Sequence, residues 1–203
     1  HLPYSEGISS DDKIFDGDPF LDHYVQVTEK LDGENTTMYP DAIHARSIDS
    51  KNHPSRDWVK GLWGSYLRYK IPEGWRVCGE NLFATHSIFY ANLSSYFFIH
   101  SIWNQNNVCL PVSRTVSLTE KWGLEHVPVI YVGRYTKERA REWVQRAKDL
   151  GQEGFVVREL DSFPYEEYDT HVGKYVVPGF KPGSDHWMYG SEMKQNQLVR
   201  KEQ

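Results

Sequence analysis

Apolar positions along the chain change their spacing several times, and each change marks a predicted element. Residues 24–28, 35–39 and 43–46 alternate or cluster β-branched side chains, with Pro40-Asp41 joining the last two, which predicts antiparallel strands with tight turns. Ser55 is placed to cap a helix whose Val59, Leu62, Trp63, Tyr66 and Leu67 recur at helical spacing before Pro72 closes it. Strands follow over residues 75–79 and 96–103. Ser117 with Glu120 three residues on reads as a capping box for a short helix ending near Gly123. After a strand over 127–132, Thr136 opens a helix with Ala140, Trp143, Val144, Ala147 and Leu150 on one face, stopped by Gly151. Residues 155–158 and 174–177 read as strands. Residues 1–22 carry the turn-rich runs Ser9-Ser10-Asp11-Asp12 and Asp16-Gly17-Asp18-Pro19 and read as an irregular lead-in segment. Many strands and few helices, without regular βαβ alternation, predict an α+β fold with largely antiparallel sheets flanked by helices.

Composition narrows the function classes. The 203 residues include 23 Lys and Arg against 28 Asp and Glu, a formal net charge of −5, so bulk charge does not coat nucleic acid and any such contact needs a local patch. No apolar run reaches the roughly 18–20 residues of a membrane span, and the amino end lacks a basic-then-apolar signal, so a cytoplasmic protein without a membrane partner is expected. Cys78 and Cys109 are too few for a disulfide framework and form no C-x-x-C motif; buried, reduced thiols are expected. The chain opens on His1, which reads as a trimmed end or the inside of a longer chain.

The common phosphate and metal motifs are missing. The Gly173-Lys174 pair is followed by Tyr175, so there is no G-x-x-x-x-G-K-[ST], and neither G-x-G-x-x-G nor H-E-x-x-H occurs. Side chains must then hold any nucleotide. The informative stretch is Glu29-Lys30-Leu31-Asp32-Gly33-Glu34-Asn35-Thr36, where a lysine at a strand end runs into a turn with two carboxylates. Such surroundings can hold an amine and raise its nucleophilicity, and Gly33 permits a tight turn that lets a phosphate approach. By itself the pattern is equally a solvated Asp-Gly hairpin.

Later elements follow in a telling order: Ala45-Arg46-Ser47, Cys78-Gly79-Glu80-Asn81-Leu82, the aromatic strand Tyr96-Phe97-Phe98-Ile99-His100-Ser101-Ile102-Trp103, Glu153-Gly154-Phe155-Val156-Val157-Arg158, and Lys174. Together these resemble the collinear motifs of the covalent lysyl-nucleotidyltransferase superfamily, the polynucleotide ligases and capping enzymes. The nearest resemblance is to ATP-dependent RNA ligases of the bacteriophage RNA ligase 2 type, over about residues 24–177. It implies a nucleotidyltransferase domain of ATP-grasp-like fold, with ATP as substrate, AMP as covalent intermediate and Mg2+ or Mn2+ as cofactor. Lys30 would attack the α-phosphate, and Lys174 would neutralise it during transfer. Asn35 and Arg46 would contact ribose, phosphate and the incoming strand end; Glu80 would accept from the ribose hydroxyls; Glu153 would help bind the metal; Glu29, Asp32 and Gly33 would border the nucleotide. The adenine-stacking position falls at His100, with Phe98 as the alternative. Where many relatives carry a second lysine this chain has Val176, for which Lys181 is a candidate substitute.

The implied partners are RNA ends, a 5′-phosphate and a 3′-hydroxyl, with an end-processing kinase or phosphatase as a further partner. Residues 51–70 hold Lys51, Arg56, Lys60, Arg68 and Lys70 against the single acid Asp57, a local net of +4, interleaved with Trp58, Trp63, Tyr66 and Tyr69. Arg56, Lys60, Arg68 and Lys70 are therefore candidates for the RNA backbone, the alternative being an amphipathic helix with solvated lysines. Ser184-Asp185-His186-Trp187 offers no third ligand and is assigned no metal. Because few residues follow Lys174, one adenylyltransferase domain over 1–203 is expected, without the second, oligonucleotide-binding domain of many relatives. A GTP-dependent capping guanylyltransferase, a small DNA ligase and a non-catalytic nucleotide- or RNA-binding module are the alternatives.

Overall fold

The structure, a computed structural model, describes residues 1–5, 13–47, 52–180 and 193–200. Ser9 to Asp12, Lys51, Lys181 and the Ser184-Asp185-His186-Trp187 run lie outside the described residues. In chain order the elements are β1 (Tyr24–Glu29), β2 (Glu34–Met38), β3 (Ile43–Ala45), α1 (Asp57–Ser65), β4 (Arg76–Asn81), β5 (Phe97–Trp103), β6 (Val108–Cys109), α2 (Val112–Lys121), β7 (Glu125–His126), β8 (Val129–Arg134), α3 (Lys137–Asp149), β9 (Gly154–Glu159), β10 (Phe163–Pro164), α4 (Tyr168–His171) and β11 (Val172–Val176). This is the α+β class, with two largely antiparallel sheets, the short β5–β7 pairing being parallel. The chain forms two compact units, His1–Leu31 with Pro128–Phe180, and Asp32–Val127 with the described residues 193–200.

The first unit is built on a four-stranded sheet in the order β11-β9-β1-β8. Val25 and Val27 alternate with Gln26 and Thr28 along β1, so one face is apolar and the other polar although all four are buried. The apolar face carries α3, whose Ala140 and Trp143 pack with Val25, Val27, Phe155, Val157 and Tyr175. Thr136 caps α3 as the sequence predicts, its side chain accepting from the Arg139 amide. The described lead-in residues contribute no strand or helix, yet Leu2 and Phe20 are fully buried in this core. The Leu2 amide donates to the Lys174 carbonyl at 2.9 Å, so residues 1–5 run along the outer edge of β11.

In the second unit β6-β5-β4-β2-β3 form the sheet, with β7 paired to β5. Met38, Val77, Phe97, Ile99 and Ile102 point to one side and pack with Val59 of α1 and Leu118 of α2. Two start signals are misplaced in the sequence reading. The helix after Ser55 begins as a short 3-10 turn over Pro54–Arg56 capped by the His53 side chain, so Ser55 receives that cap instead of providing one. Helix α2 begins at Val112, just after Pro111, five residues before the Ser117-Glu120 pair, which lies inside it. Pro at the N-cap, with its fixed φ, was the usable signal.

Arg56 is buried beneath this sheet, where its Nε donates to Glu34 Oε2 at 2.7 Å and its Nη2 donates to Glu34 Oε1. Arg56→Ala would leave the Glu34 carboxylate buried without its counter-ion, and a loss of about 3 kcal/mol in urea unfolding is expected. Lys60→Ala, on the surface side of α1, should cost under about 0.5 kcal/mol. A loss below about 1 kcal/mol for Arg56→Ala would show that the pair contributes nothing beyond packing.

Candidate active site

Lys30 leaves the end of β1 with its amide still donating to the Gly154 carbonyl at 3.0 Å. The registers β1–β9 and β9–β11 place Thr28, Val156 and Lys174 in one row across the sheet, and Glu29, Phe155 and Tyr175 in the next. Continuing by one residue puts Lys30, Gly154 and Val176 in a third row. Alternate rows share a face, so Lys30 and Lys174 both rise from the polar face that carries Gln26 and Thr28. The Lys30 amine donates to Glu153 Oε1, and this pair is mostly buried, with the two side chains 24% and 12% exposed. Between Lys30 and Val176 the row holds only Gly154, where a Cβ would lie 1.9 Å from the Tyr175 carbonyl oxygen. No side chain is tolerated there, because the added atom would run into the backbone of β11.

Glu29 belongs to the opposite, helix-bearing face. Its carboxyl is pushed above the ordinary carboxylate value, chiefly by burial, against the pull of Arg146 and a hydrogen bond from Gln152. An acid raised in the folded state stabilises the fold fully below its unfolded pKa and loses that contribution as pH rises through the folded value. Glu29→Gln, which cannot ionise, is therefore expected to raise Tm by about 1–2 °C near neutral pH. That gain should vanish towards about pH 4 in thermal melts; a gain independent of pH would contradict the burial of a charge at Glu29.

In the second unit the chain from Asp32 onward forms the start of the other sheet, so β1 and β2 are not the two arms of an Asp-Gly hairpin. Asp32 is buried, and its Oδ2 accepts from the amides of Ser87 and Ile88, both at 2.7 Å. Its own amide donates to the Tyr90 hydroxyl at 3.0 Å. The next amide, Gly33, donates to Glu80 Oε1 at 3.2 Å. A Cβ at Gly33 would come 2.6 Å from the Asn81 carbonyl oxygen, so this close approach requires glycine.

Opposite the core face of the second sheet lie Asn35, Glu80 and Phe98, which the β2–β4 and β4–β5 registers align across three strands. The pairing slips between Cys78 and Gly79, which face Ser101 and Ile99, leaving His100 as the extra residue of a β-bulge. The bulge brings His100 Nε2 within 3.1 Å of Asn35 Nδ2. The amide donates, so His100 accepts at Nε2 and holds its proton on Nδ1, 3.0 Å from Ser101 Oγ. Arg46 follows β3 directly and is exposed, at the end of that strand nearest Asn35 in register. Burial pushes the Cys78 thiol up, and neither Cys78 nor Cys109, both buried, is in a disulfide.

A sequence profile of the RNA ligase family matches residues 23–176, from the start of β1 to the end of β11 and so across both units. The chain belongs to the RNA ligase family. A search of curated proteins finds no match. Among solved structures, an archaeal ATP-dependent RNA ligase is similar at TM-score 0.55 and 18% identity, covering 78% of this chain and 44% of the other. An RNA ligase of Naegleria gruberi with pyrophosphate is similar at TM-score 0.53 and 19% identity, covering 79% and 51%. A variant of the Naegleria gruberi enzyme with ATP and manganese is similar at TM-score 0.51 and 16% identity, covering 79% and 52%. At these identities the likeness is one of fold, and this chain spans about half the length of those proteins or less.

The family member's basic residues around α1 divide by environment. Arg56 is inside, on Glu34. Lys60 donates to Asn52 Oδ1. Arg68 lies over the rings of Trp63 and Tyr69 at 4.7 and 5.6 Å, and Lys70 over Tyr66 at 5.3 Å, with Tyr69 74% exposed. Sequence reading missed Gln26, Thr28 and Arg158 as members of the Lys30 face, all buried polar residues, Gln26 and Arg158 being register partners. The signal was present: Gln26, Thr28 and Lys30 alternate with Val25 and Val27, which marks a strand buried on both faces with one of them polar. No helix among the described residues is long and apolar enough to cross a membrane.

Proposed function

We propose that this chain is the nucleotidyl-transfer part of an ATP-dependent RNA ligase, with Lys30 as nucleophile. The observation that carries it is the Lys30 amine seated on the Glu153 carboxylate, on the sheet face it shares with Lys174. In the first step the Lys30 Nζ–Pα bond forms, the bond from Pα to the bridging oxygen breaks, and pyrophosphate leaves with the electron pair. The lysine gives up its protons to become a phosphoramidate, and Glu153 is the acceptor in contact. In the second, an oxygen of an RNA 5′-phosphate attacks the AMP phosphorus and the N–P bond breaks, returning the amine. In the third, a 3′-hydroxyl oxygen attacks the activated 5′-phosphorus, its proton leaves, and AMP departs.

Transfer at phosphorus needs charge neutralisation and positioning above all. Lys174 supplies charge on the same face; Glu80, Asn35, Phe98 and His100 offer hydrogen bonds and a ring to ribose and base, and Arg46 offers a cation to the strand end. Asp32 serves in this reading by shaping the turn, since its carboxylate already holds two amides. The described residues contain no group of three or more His, Cys, Asp or Glu able to hold a metal. Glu153, a hard oxygen donor, would help hold Mg2+ or Mn2+, and the ion would supply further charge neutralisation. ATP and manganese on the Naegleria gruberi variant support the same substrate and cofactor here. Arg68 and Lys70, with Trp63 and exposed Tyr69, are the candidates for the RNA strand. An end-processing kinase or phosphatase would supply the 5′-phosphate and 3′-hydroxyl ends.

The test is incubation with magnesium and either ATP or GTP, followed by intact mass, then addition of nicked duplexes whose 5′-phosphate strand is RNA or DNA. A single adenylate adduct discharged onto RNA with strand joining is expected. A guanylate adduct would move the reading to capping, joining of DNA alone to a DNA ligase, and no adduct on protein first shown free of AMP to a binding module.

A further inference from the structure

The described segment 193–200 lies beyond the part of the chain that matches the RNA ligase family and holds a buried polar residue. Asn196 is 1% exposed. Its Oδ1 accepts from Thr85 Oγ1 and from the Tyr90 amide, both at 2.9 Å. Its Nδ2 donates to the carbonyls of Leu82 and Ala84 at 2.9 and 3.2 Å. Its amide donates to the Phe83 carbonyl, and its carbonyl accepts from the Tyr96 hydroxyl. Every hydrogen-bonding group of the residue is thus engaged, all of them with the connection between β4 and β5. Backbone bonds continue on either side, from Thr85 to Lys194 and between Gln197 and Tyr90, so the segment clamps that connection along its length.

The clamped connection is the one that holds the turn after Lys30. Tyr90, whose amide is fixed by Asn196, receives the Asp32 amide on its hydroxyl, and Ser87 and Ile88 of the same connection hold the Asp32 carboxylate. Gly33, aimed at Glu80, comes next. Solvent cannot replace these bonds at a buried site, so loss of Asn196 leaves several groups unsatisfied and releases the connection.

We propose that Asn196 is a positioning residue for nucleotide transfer, acting through Tyr90 and Asp32 on the turn that joins Lys30 to Gly33. The proposal rests on the ligase reading above. It is tested with Asn196→Ala, Tyr90→Phe and the double variant, in the full chain. Single-turnover adenylylation by magnesium and ATP is followed by intact mass, and amide exchange is followed at Asp32, Gly33, Ser87 and Ile88. Each single variant is expected to lower the maximal rate by about 10–100-fold, with the half-saturating ATP concentration within about twofold. The double variant should be no slower than the slower single one, because both act on one turn. Exchange at Asp32 and Gly33 should quicken in each. Tyr90→Phe removes a single hydroxyl and keeps the test alive if Asn196→Ala fails to fold. Wild-type rates in a folded variant, or full additivity, overturn the proposal while the ligase reading stands. Unchanged exchange at Asp32 and Gly33 overturns the clamp itself, whether or not the protein takes AMP. A wild-type chain that takes no AMP while these amides quicken removes the reaction and overturns the proposal through the ligase reading alone.

Discussion

Replacing Lys30 by alanine is expected to abolish transfer of AMP to the protein, a loss on the order of 10⁴-fold or more, since the variant lacks the atom that forms the new bond. The fold should survive. Lys30 follows the last residue of β1, and its amide bond to Gly154 is a backbone interaction that alanine keeps. What the substitution leaves behind is the Glu153 carboxylate, half of a pair whose side chains are mostly buried. In the proposed mechanism the site admits phosphate, so that carboxylate regains water and the unfolding free energy should fall by no more than about 1–2 kcal/mol. Circular dichroism and urea unfolding establish folding, and intact mass with ATP establishes the chemistry. A folded Lys30→Ala protein that still gains one AMP would place the nucleophile elsewhere. A folded variant that loses adduct formation but keeps wild-type RNA affinity would separate chemistry from binding, as the mechanism requires.

Gly154→Ala should be the most damaging conservative change in the first unit. A Cβ there would meet Tyr175 O at 1.9 Å, Tyr175 C at 2.9 Å and Val176 Cα at 3.1 Å. All three are backbone atoms of β11, so no side-chain rotation relieves the overlap, and β9 and β11 must part where they pair. The methyl group would also enter the row between Lys30 and Val176. A destabilisation of about 3 kcal/mol is expected in urea unfolding, at the upper end of overpacking costs, with adenylylation lost in the remaining folded protein. Gly61→Ala is the control: within α1 nothing lies within 4 Å of the added Cβ. Its greater helix propensity should make that variant neutral or more stable by up to about 1 kcal/mol. Equal effects at the two glycines would contradict the close approach of β11.

Much of this was legible in the sequence because local pattern and tertiary role agree. Val25 and Val27 against Gln26 and Thr28 specify β1; the Thr136 cap and the Ala140-Trp143-Ala147 stripe specify α3. Where they disagree the reading slipped. Ser117 and Glu120 match a capping box yet sit inside α2, where packing of Leu118 against the core overrides the local preference. Strands β6, β7 and β10 have two residues each and leave no periodicity to read. The bulge at His100 is likewise invisible in a run of eight residues that pair well either way, since only the partner strand shows which one is extra. Lys30, Glu153 and Lys174 were picked out by order along the chain; the first sheet brings Lys30 and Lys174 to one face, and the Glu153 side chain meets the Lys30 amine. The distribution of work among the acids was not legible: Glu29 and Asp32 flank Lys30 in sequence, but strand alternation turns the first towards α3 and the β4–β5 connection claims the second. Asn196 gave no signal at all, because a lone asparagine becomes a hub only through contacts more than a hundred residues away.

The measurement that bears most directly on Lys30 as the nucleophile is the position of the AMP itself. The protein, cleared of any AMP carried through purification, is charged with ATP and magnesium, digested, and the modified peptide fragmented. AMP on Lys30 alone, removed by acid as a phosphoramidate is and discharged by 5′-phosphorylated RNA, is the predicted result. AMP on Lys174, on Lys60 or on any other residue, or none at all, would contradict it.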